Sequence, residues 1–442
     1  MIRLTYSSEI ENRHNEYFKT SILPELRTLE VKPFQFDPVL DQSFLNQISF
    51  RGDGAAFNES LKEEQAGLYD LIENKVDLFS KGSPTILRGL KDEIASSFPW
   101  TVKLLEPEHR DIAISFRTYL YELFQYENFK TKSLYHYYRA KALHNTSESK
   151  YSENVKVEII RLLIEDFPEI ETCRDKLEAD ENKKAKAFER IFNKLTGVSF
   201  TLKGFNSLTV FNHEWNDYSL IMDGKITVCP YCNRQYITPF LSNNGRVRAD
   251  IDHFYSKKRY PYFSMSLYNL IPSCKQCNQS LKGEKQFPFD GLHPFEHSLH
   301  DYFRFKAIKS YSQDSIEIAL ETVNHQPENI KDYIEIFKLG PLYSYHDNHA
   351  KELVKKRKIY TENYLEDLLE NDFAGIKKSF RDIDDLKGFI VGYTVDLNLI
   401  GKEPLAKLRR DLAVQLGFLD IHASNFDSID EDLIDALQKL VD

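Results

Sequence analysis

Apolar positions over the first 200 residues follow a helical pattern. They recur at spacings of three, four and seven, which place their side chains on one face of a helix. One such series is Leu61, Leu68, Ile72, Val76 and Phe79. A second series is Ile112, Phe116, Leu120 and Phe124. We therefore predict that residues 1–200 form a mainly helical N-terminal region that serves as scaffold or as a docking surface for a partner.

Beyond residue 300 the apolar pattern first alternates and then becomes helical again. Apolar residues at 303, 305 and 307 and at 316, 318 and 320 flank a polar stretch, which predicts a β-hairpin. Helical spacing returns from Leu353 to Leu369, and then in a helix that Pro404 opens and Gly417 closes. A last helix is predicted near 430–440. We therefore predict three regions: helical 1–200, central 201–300, and a hairpin plus helices at 301–442.

The composition is that of a globular, multi-domain protein. Of the 442 residues, 41% are hydrophobic and 29% are charged, which fits neither a disordered nor a fibrous chain. No run approaches the roughly 18 apolar residues of a membrane span. The N-terminus lacks the apolar segment and cleavage site of a secretory signal. We expect a cytoplasmic protein without a membrane partner.

Four of the five cysteines form two Cys-x-x-Cys pairs, Cys229 with Cys232 and Cys274 with Cys277. Two such pairs can supply four thiolates in a tetrahedron, the closed arrangement of a structural zinc site. In a segment this small, the ion would act as a folding element. The fifth cysteine, Cys173, is expected to be an ordinary buried thiol.

Charge is distributed unevenly along the chain. The net charge is −10, but residues 229–285 hold nine basic and three acidic residues, so this segment is +6 and the remainder is −16. The basic residues are Arg234, Arg246, Arg248, Lys257, Lys258, Arg259, Lys275, Lys282 and Lys285. This asymmetry is expected of a phosphate-facing site in an acidic protein.

Between the cysteine pairs the sequence predicts two strands, a loop and a helix. Asn244-Gly245 is typical of a tight hairpin turn, and the second strand ends at Asp252-His253. Strict alternation places these two side chains on opposite faces, so both serve one site only if the chain leaves the extended conformation there. Ser273 is expected to cap a helix that ends at Gly283.

On that helix, Asn278 and Lys282 are four residues apart and share a face. Asn278 can then point at a metal ion while Lys282 reaches a phosphate. The predicted fold class is α+β: a mainly helical body with a central, zinc-stapled ββα-metal module and a small β-hairpin after it.

These residues resemble the HNH endonuclease family in its zinc-knuckle variant. The order CPYC, DHF, KRYP, NL and CxxCN is similar to the HNH subunit of bacterial anti-phage systems of the Septu type and their retron-linked relatives. The resemblance covers residues 229–283. The matching motifs are Asp252-His253, Asn269-Leu270 and Cys274-x-x-Cys277-Asn278-x-x-x-Lys282.

The resemblance implies roles for individual residues. His253 is expected to be the general base, Asn269 to fix the loop, and Asp252 and Asn278 to bind a catalytic Mg²⁺ or Mn²⁺. Their chemistry agrees: an imidazole takes a proton near neutral pH, and a hard cation prefers carboxylate and amide oxygens. The expected phosphate contacts are Lys257, Lys258, Arg259 and Lys282.

The sequence thus predicts a metal-dependent HNH endonuclease that hydrolyses phosphodiester bonds, with DNA favoured and RNA not excluded. The family resemblance implies the effector of an anti-phage defence system with a separate ATPase subunit, since this chain has no phosphate-binding loop of the Walker type. The alternative is a zinc-stapled nucleic-acid-binding module without catalysis. His293, His297 and His300 are expected to bind no metal, since the cysteines complete a tetrahedron.

Overall fold

The computed structural model describes most of the chain. The described residues are 3–37, 42–130, 134–148, 150–166, 168–179, 184–196, 215–242, 245–310, 315–323, 330–371, 376–392, 400–419 and 431–440. Contacts within the chain group the residues into two compact units. We call Tyr6–Lys225 with Thr238–Leu270 the N-terminal unit, and Met1–Thr5, Ile226–Ile237 and Ile271–Asp442 the C-terminal unit. The three regions proposed from the sequence stay a prediction, because a division by contacts within the chain does not test them.

The N-terminal unit is mainly helical in its described part, in agreement with the apolar pattern. Its α-helices are α1 (Ser8–Tyr17), α2 (Leu23–Leu26), α3 (Thr28–Val31), α4 (Gln42–Gln47), α5 (Gly54–Asn74), α6 (Val76–Lys81), α7 (Pro84–Ser97), α8 (Pro99–Leu104), α9 (Ile114–Leu123), α10 (Tyr126–Phe129), α11 (Leu134–Thr146), α12 (Glu153–Asp166), α13 (Arg174–Glu178), α14 (Ala185–Thr196) and α15 (Asp217–Gly224). A π-helical segment, Phe18–Ile22, joins α1 to α2, and 3-10 turns lie at Pro107–His109, Pro168–Cys173, Pro261–Phe263 and Leu267–Asn269.

The longest described helix of this unit, α5, shows why apolar spacing predicts helices in this part of the chain. The Asp53 side chain accepts a hydrogen bond of 2.9 Å from the Ala56 N–H and satisfies a donor that the helix cannot pair internally. Leu61, Leu68 and Ile72, which share the predicted apolar face, are all buried. Burial of this face is what stabilises the helix.

Two short strands of the N-terminal unit lead to the segment of interest. Strand β1 (Phe240–Ser242) pairs antiparallel with β2 (Gly245–Val247), and Ser242 lies opposite Gly245. Gly245 is therefore a strand residue and not a turn residue as predicted, while Asn244 lies outside the described residues. Strand β3 (Asp250–His253) follows, and β4 (Leu270–Ser273) comes after the loop that β3 enters.

The C-terminal unit contains the predicted β-hairpin. Strand β5 (Phe303–Lys309) pairs antiparallel with β6 (Ile316–Thr322) in an uninterrupted register from Phe303–Thr322 to Lys309–Ile316. Residues 311–314 of the polar stretch lie outside the described residues. The hairpin prediction is confirmed, because the period-two pattern gives each strand one apolar face.

The remaining elements of the C-terminal unit are helical. They are the π-helix Gln276–Lys282, the 3-10 turns Leu299–Asp301 and Ser344–His346, and the helices α16 (Ile330–Ile336), α17 (Leu339–Tyr343), α18 (Asp347–Ile359), α19 (Glu362–Glu370), α20 (Ile376–Ser379), α21 (Ile383–Val391), α22 (Ala406–Gln415) and α23 (Glu431–Gln438). Together with the hairpins, these elements make a mainly helical protein consistent with the α+β class. No helix in the described part is long and apolar enough to cross a membrane.

Two helix boundaries differ from the prediction. The predicted helix from Leu353 to Leu369 is divided, because the Thr361 side chain accepts a hydrogen bond from the Tyr364 N–H and begins α19. Helix α22 begins at Ala406 after Leu405, whose φ is +61°, so Pro404 precedes the helix and does not lie in its first turn. A side-chain cap and a left-handed residue therefore override the apolar spacing at these points.

The end of α22 agrees with the prediction. Gly417 has a φ of +70°, the left-handed region that favours glycine. The Gly417 N–H donates to the Val414 carbonyl and the Phe418 N–H donates to the Ala413 carbonyl, at 3.1 and 2.9 Å. This pair of bonds is the Schellman arrangement, which satisfies the last carbonyls of a helix.

We expect Gly417→Ala to lower the free energy of unfolding by about 1 kcal/mol, because alanine is strained at this φ. The matched substitution is Gly89→Ala in the middle of α7, where an added Cβ meets no atom within 4 Å. That change is expected to raise the free energy of unfolding by roughly 0.5 kcal/mol. Chemical denaturation measures both. Equal effects of the two substitutions would contradict the assigned cap.

Candidate zinc centre and catalytic site

The four predicted zinc ligands lie together in the C-terminal unit. Cys229, Cys232, Cys274 and Cys277 are buried, and their sulfur atoms all lie within 4.8 Å of one another. The Sγ atoms of Cys232 and Cys274 are 4.0 Å apart. Sulfurs at about 2.3 Å from a tetrahedral zinc ion would be about 3.8 Å apart. The cluster therefore has the ligand type, number and spacing to hold a zinc ion.

Backbone donors point at the sulfur atoms of this cluster. The Arg234 N–H donates to Cys232 Sγ and the Cys277 N–H donates to Cys274 Sγ, each at 3.4 Å. Such bonds favour the thiolate form, which is the form that binds metal. Burial acts in the opposite direction and raises the pKa of the Cys229 thiol. A bound cation would supply the positive charge that four buried thiolates need.

The first cysteine pair is fixed by the residues around it. Asn233 has a φ of +52° and donates its N–H to the Cys229 carbonyl at 2.9 Å, which closes the turn between the ligands. Its buried side chain donates to the Ile400 carbonyl at 2.6 Å and accepts from the Lys407 N–H at 3.0 Å. Tyr343 donates its hydroxyl to the Cys232 carbonyl at 2.7 Å. The turn that presents two sulfurs is thus bound to helices distant in sequence.

The second pair opens a π-helix where an α-helix capped by Ser273 was predicted. The Gly283 N–H donates to the Asn278 carbonyl at 2.9 Å, the five-residue span of π geometry. The Ser273 hydroxyl is buried and makes no hydrogen bond with any described residue. The cap prediction is therefore wrong, and Cys274 Sγ accepts from the first turn in its place. Lys282, predicted to meet phosphate, is only 3% exposed, and Asn278 is half-buried.

His253 lies in the N-terminal unit at the end of β3 and is 7% exposed. Its Nε2 is 2.9 Å from the Ser264 carbonyl oxygen. Because a carbonyl only accepts, Nε2 carries the proton and Nδ1 holds the lone pair of the neutral imidazole. The Tyr126 ring packs edge-on against the imidazole, with ring centroids 4.3 Å apart. One hydrogen bond and one ring contact thus fix both the tautomer and the orientation of His253.

Asp252 is buried beside the same tyrosine. It is 4% exposed, and its carboxylate is one of the charges that, after burial, raise the pKa of Tyr126. The Tyr126 hydroxyl donates to the Ile251 carbonyl at 3.5 Å. Although the two residues are adjacent in a strand, both Asp252 and His253 therefore have Tyr126 as a neighbour.

Asn269 holds the loop that follows His253. Its Oδ1 accepts from the Tyr255 N–H at 2.7 Å, and its Nδ2 donates to the carbonyls of Tyr255 and Phe263 at 3.1 and 2.8 Å. The Phe254 N–H donates to the Asn269 backbone carbonyl at 3.1 Å. The fully buried amide therefore ties both ends of the loop together. The assignment of Asn269 to the catalytic site stays a prediction from the sequence resemblance.

The basic residues of that loop have different surroundings. Lys257 donates its ammonium to the Tyr121 hydroxyl at 2.8 Å and lies 4.8 Å from the centre of the Tyr126 ring. Arg259 lies over the Tyr260 ring, and Lys258 is exposed. Lys257 is therefore held on a tyrosine pair, whereas Lys258 faces solvent.

The predicted site residues are divided between the two units of the chain. Asp252, His253 and Asn269 share the N-terminal unit, whereas Asn278 and Lys282 belong to the C-terminal unit. Cys173 is half-buried and outside the cysteine cluster. His293 Nδ1 accepts from the Phe295 N–H, and His297 Nδ1 accepts from the His293 N–H. Among the described residues, only the four cysteines form a cluster suited to a metal ion.

Sequence reasoning missed Tyr126 and Asn233. Tyr126 is in α10, more than a hundred residues before His253, and no spacing rule links the two positions. Asn233 carried a weak signal, because asparagine directly after a cysteine pair tolerates the left-handed conformation of a tight turn.

Comparison with known proteins gives one short similarity. A stretch of 64 residues, 14% of this chain, is 39% identical to "Protein ea31" of Escherichia phage lambda and covers 20% of that protein. No protein-family model matches the chain. No solved structure matches it.

We expect the purified protein to hold one zinc ion per chain, and Cys277→Ser to lose it. Loss of a ligand should also destabilise the C-terminal unit by several kcal/mol, because binding of a structural zinc, about 10–16 kcal/mol in small zinc domains, contributes to folding. Metal analysis and thermal unfolding measure the two effects. Cys173→Ser is the matched control and should retain zinc. Retention of a full equivalent in Cys277→Ser would overturn the ligand assignment.

Asn269→Ala is expected to lower the free energy of unfolding by about 3 kcal/mol, because it removes three buried hydrogen bonds, those with the Tyr255 N–H and with the carbonyls of Tyr255 and Phe263. Ser266→Ala is the control: this hydroxyl is also buried but makes no hydrogen bond with described residues. Its removal should change stability by less than about 0.5 kcal/mol. A similar loss in both variants, measured by denaturant titration, would mean that Asn269 does not act through these bonds.

Proposed function

We propose that this protein is a metal-dependent endonuclease of the HNH type, with His253 as its general base. The observation that carries the proposal is the position of His253: it is buried next to the buried Asp252, and its Nε2 is bound to the Ser264 carbonyl, so Nδ1 carries the lone pair of the neutral imidazole. The sequence resemblance over residues 229–283 supplies the reaction class.

The chemistry assigned to the protein side chains is proton transfer and orientation. A phosphodiester resists attack by water unless a base takes the water's proton as the new bond to phosphorus forms. His253 takes this proton at Nδ1 while the bond between phosphorus and the leaving oxygen breaks, and the Ser264 carbonyl stabilises the imidazolium through the Nε2 proton. The leaving oxygen takes a proton from solvent water, and the imidazolium then returns its proton to solvent. Tyr126 keeps the ring from rotating, and Asn269 fixes the loop that carries Ser264 through its bond to the adjacent Phe263 carbonyl.

A divalent cation, when bound, would stabilise the negative charge that develops on the phosphate oxygens. Asp252, buried and adjacent to His253, is the carboxylate that we propose as its oxygen ligand. The role of Asn278 as a second ligand for Mg²⁺ or Mn²⁺ stays a prediction from the sequence resemblance. The four cysteines form a chemically different site, because thiolates favour zinc over hard cations.

The proposed substrate is nucleic acid, with DNA favoured. The basic excess of residues 229–285 suits a polyanion, and exposed Lys258 follows the general base closely in sequence. Contacts to phosphate carry no sequence information, so we propose cleavage without a defined recognition sequence. The resemblance further suggests an anti-phage effector that works with an ATPase subunit, which co-purification from the native host would detect.

The second candidate is a nucleic-acid-binding module that a zinc ion stabilises. The cysteine cluster alone is compatible with both a nuclease and a binding module. The two differ at His253. A binding module has no need for a buried imidazole beside a buried carboxylate, whereas a hydrolase requires both. Catalysis therefore decides between them.

We expect the zinc-loaded protein to nick plasmid DNA or cut RNA in Mg²⁺ or Mn²⁺, and His253→Gln to reduce the rate by about 100-fold or more. Glutamine keeps a donor for the Ser264 carbonyl but cannot act as the base. Gel assays of initial rate measure the effect, with zinc content checked in each variant.

His297→Ala is the control for loss of a histidine outside the proposed site and should cut at the wild-type rate. Equal activity of His253→Gln and the wild type would refute the role of His253. Binding of DNA and RNA without any cleavage, also in the presence of a co-purified partner, would favour the second candidate.

A further inference from the structure

A cluster of arginine and histidine side chains lies in the C-terminal unit, and none of these side chains belongs to the proposed catalytic site. Its members are Arg234, His346, His349 and Arg409, which we call the Arg/His cluster. Arg234 follows the first cysteine pair, His346 and His349 lie at the N-terminal end of α18, and Arg409 is in α22. These side chains come from three parts of the chain that no sequence motif connects.

Arg234, His346 and His349 are in contact, and Arg409 lies close to His349 because helices α18 and α22 pack against each other. Arg234 Nε donates to His346 Nε2 at 3.1 Å, and the rings of His346 and His349 have centroids 6.2 Å apart. Arg409 Nη2 donates to the Val391 carbonyl at 2.9 Å. A Cβ added at Gly392 would lie 2.9 Å from that nitrogen, so the backbone packs directly on the guanidinium. The cationic groups are therefore fixed before any ligand arrives.

Three nitrogen atoms of the cluster are buried without a hydrogen-bond partner among the described residues. They are Arg234 Nη1, His349 Nδ1 and Arg409 Nε. Buried polar atoms are nearly always paired, and an unpaired buried donor is costly. Arg234 Nη1 and Arg409 Nε are donors, and His349 Nδ1 is a third donor when it carries the proton, so the three atoms indicate that an acceptor belongs there.

The charge of the cluster identifies this acceptor as an anion. Each of the two guanidinium groups is a cation with several hydrogen-bond donors. The nearby carboxylate of Glu352 is already paired with Lys356 at 2.6 Å, and Asp347 is paired with Lys351 at 2.6 Å. Burial and then Arg234 lower the pKa of His346; burial and then Arg409 lower the pKa of His349, against the opposite effect of the Glu352 carboxylate. The N-terminal end of α18 adds a partial positive charge.

We propose that the Arg/His cluster binds a phosphate group, either free or as part of a nucleic-acid backbone. A tetrahedral oxyanion accepts hydrogen bonds from several directions, which suits donors that come from three elements, and guanidinium groups are matched to phosphate oxygens. A metal cation is disfavoured by the two arginines. The proposal goes beyond the nuclease function, since it needs neither His253 nor a catalytic metal.

The test is a titration of inorganic phosphate at constant ionic strength, followed by calorimetry. It uses the full-length, zinc-loaded protein with the His253→Gln substitution, so that cleavage cannot interfere. We expect saturable binding with a Kd of roughly 1 mM or below. Arg409→Gln and His349→Gln should each weaken it by about tenfold, the effect of losing one charge-assisted hydrogen bond.

Arg381→Gln is the control, because it removes an arginine of the same unit whose side chain is 84% exposed and paired with Asp385. It should bind phosphate as tightly as the parent. Thermal unfolding and zinc content show whether each variant is folded. If Arg409→Gln is not folded, His349→Gln alone tests the proposal. Phosphate binding that is absent, or unchanged in the folded cluster variants, would overturn the proposal.

A second arm distinguishes the source of the phosphate. A short single-stranded oligonucleotide without a terminal phosphate is titrated against the same variants. Tenfold weaker binding in the cluster variants would assign the cluster to a nucleic-acid backbone. Unchanged oligonucleotide binding, together with weakened binding of inorganic phosphate, would assign it to a free phosphate or phosphate monoester. Either result is independent of whether the protein cleaves nucleic acid.

Discussion

Four buried thiols converging on one point are the constraint on which the central segment depends. Two turns that begin 45 residues apart, at Cys229 and Cys274, must present their sulfurs to a common centre. Neighbouring residues hold these turns in place. Asn233 and Tyr343 form hydrogen bonds that fix the first turn, and a backbone N–H donates to a cysteine sulfur in each of the two turns. A zinc ion would complete the arrangement by supplying the charge that four thiolates require.

The segment between the two turns is held by hydrogen bonds and side-chain packing. No metal is needed to explain the position of His253, because a carbonyl and a tyrosine ring hold it. The loop after it is closed by one buried amide, that of Asn269. Preorganisation by ordinary hydrogen bonds and packing is what a general base requires, since the tautomer and the ring orientation must be fixed before the substrate binds. The zinc cluster and the proposed base are thus stabilised by separate interactions.

The sequence predicted what local rules determine. The alternation of apolar and polar residues predicted the hairpin that begins at Phe303, and Gly417 predicted the end of α22. The spacing of the cysteines predicted their cluster. Local rules failed where a neighbour replaced the expected partner, as at Ser273, whose capping role a cysteine sulfur takes. They could not find Tyr126, because its contact with the site depends on how distant helices fold back. The unpaired nitrogens of the Arg/His cluster were invisible for the same reason.

X-ray absorption at the zinc edge shows whether the four cysteines together hold a zinc ion in the folded protein. We expect a first shell of four sulfur atoms at about 2.3 Å, with no nitrogen or oxygen ligand. That result would fix all four cysteines as ligands in the folded protein. A shell with fewer sulfurs, or with histidine nitrogen ligands at about 2.0 Å, would rule out a zinc site made of all four cysteines.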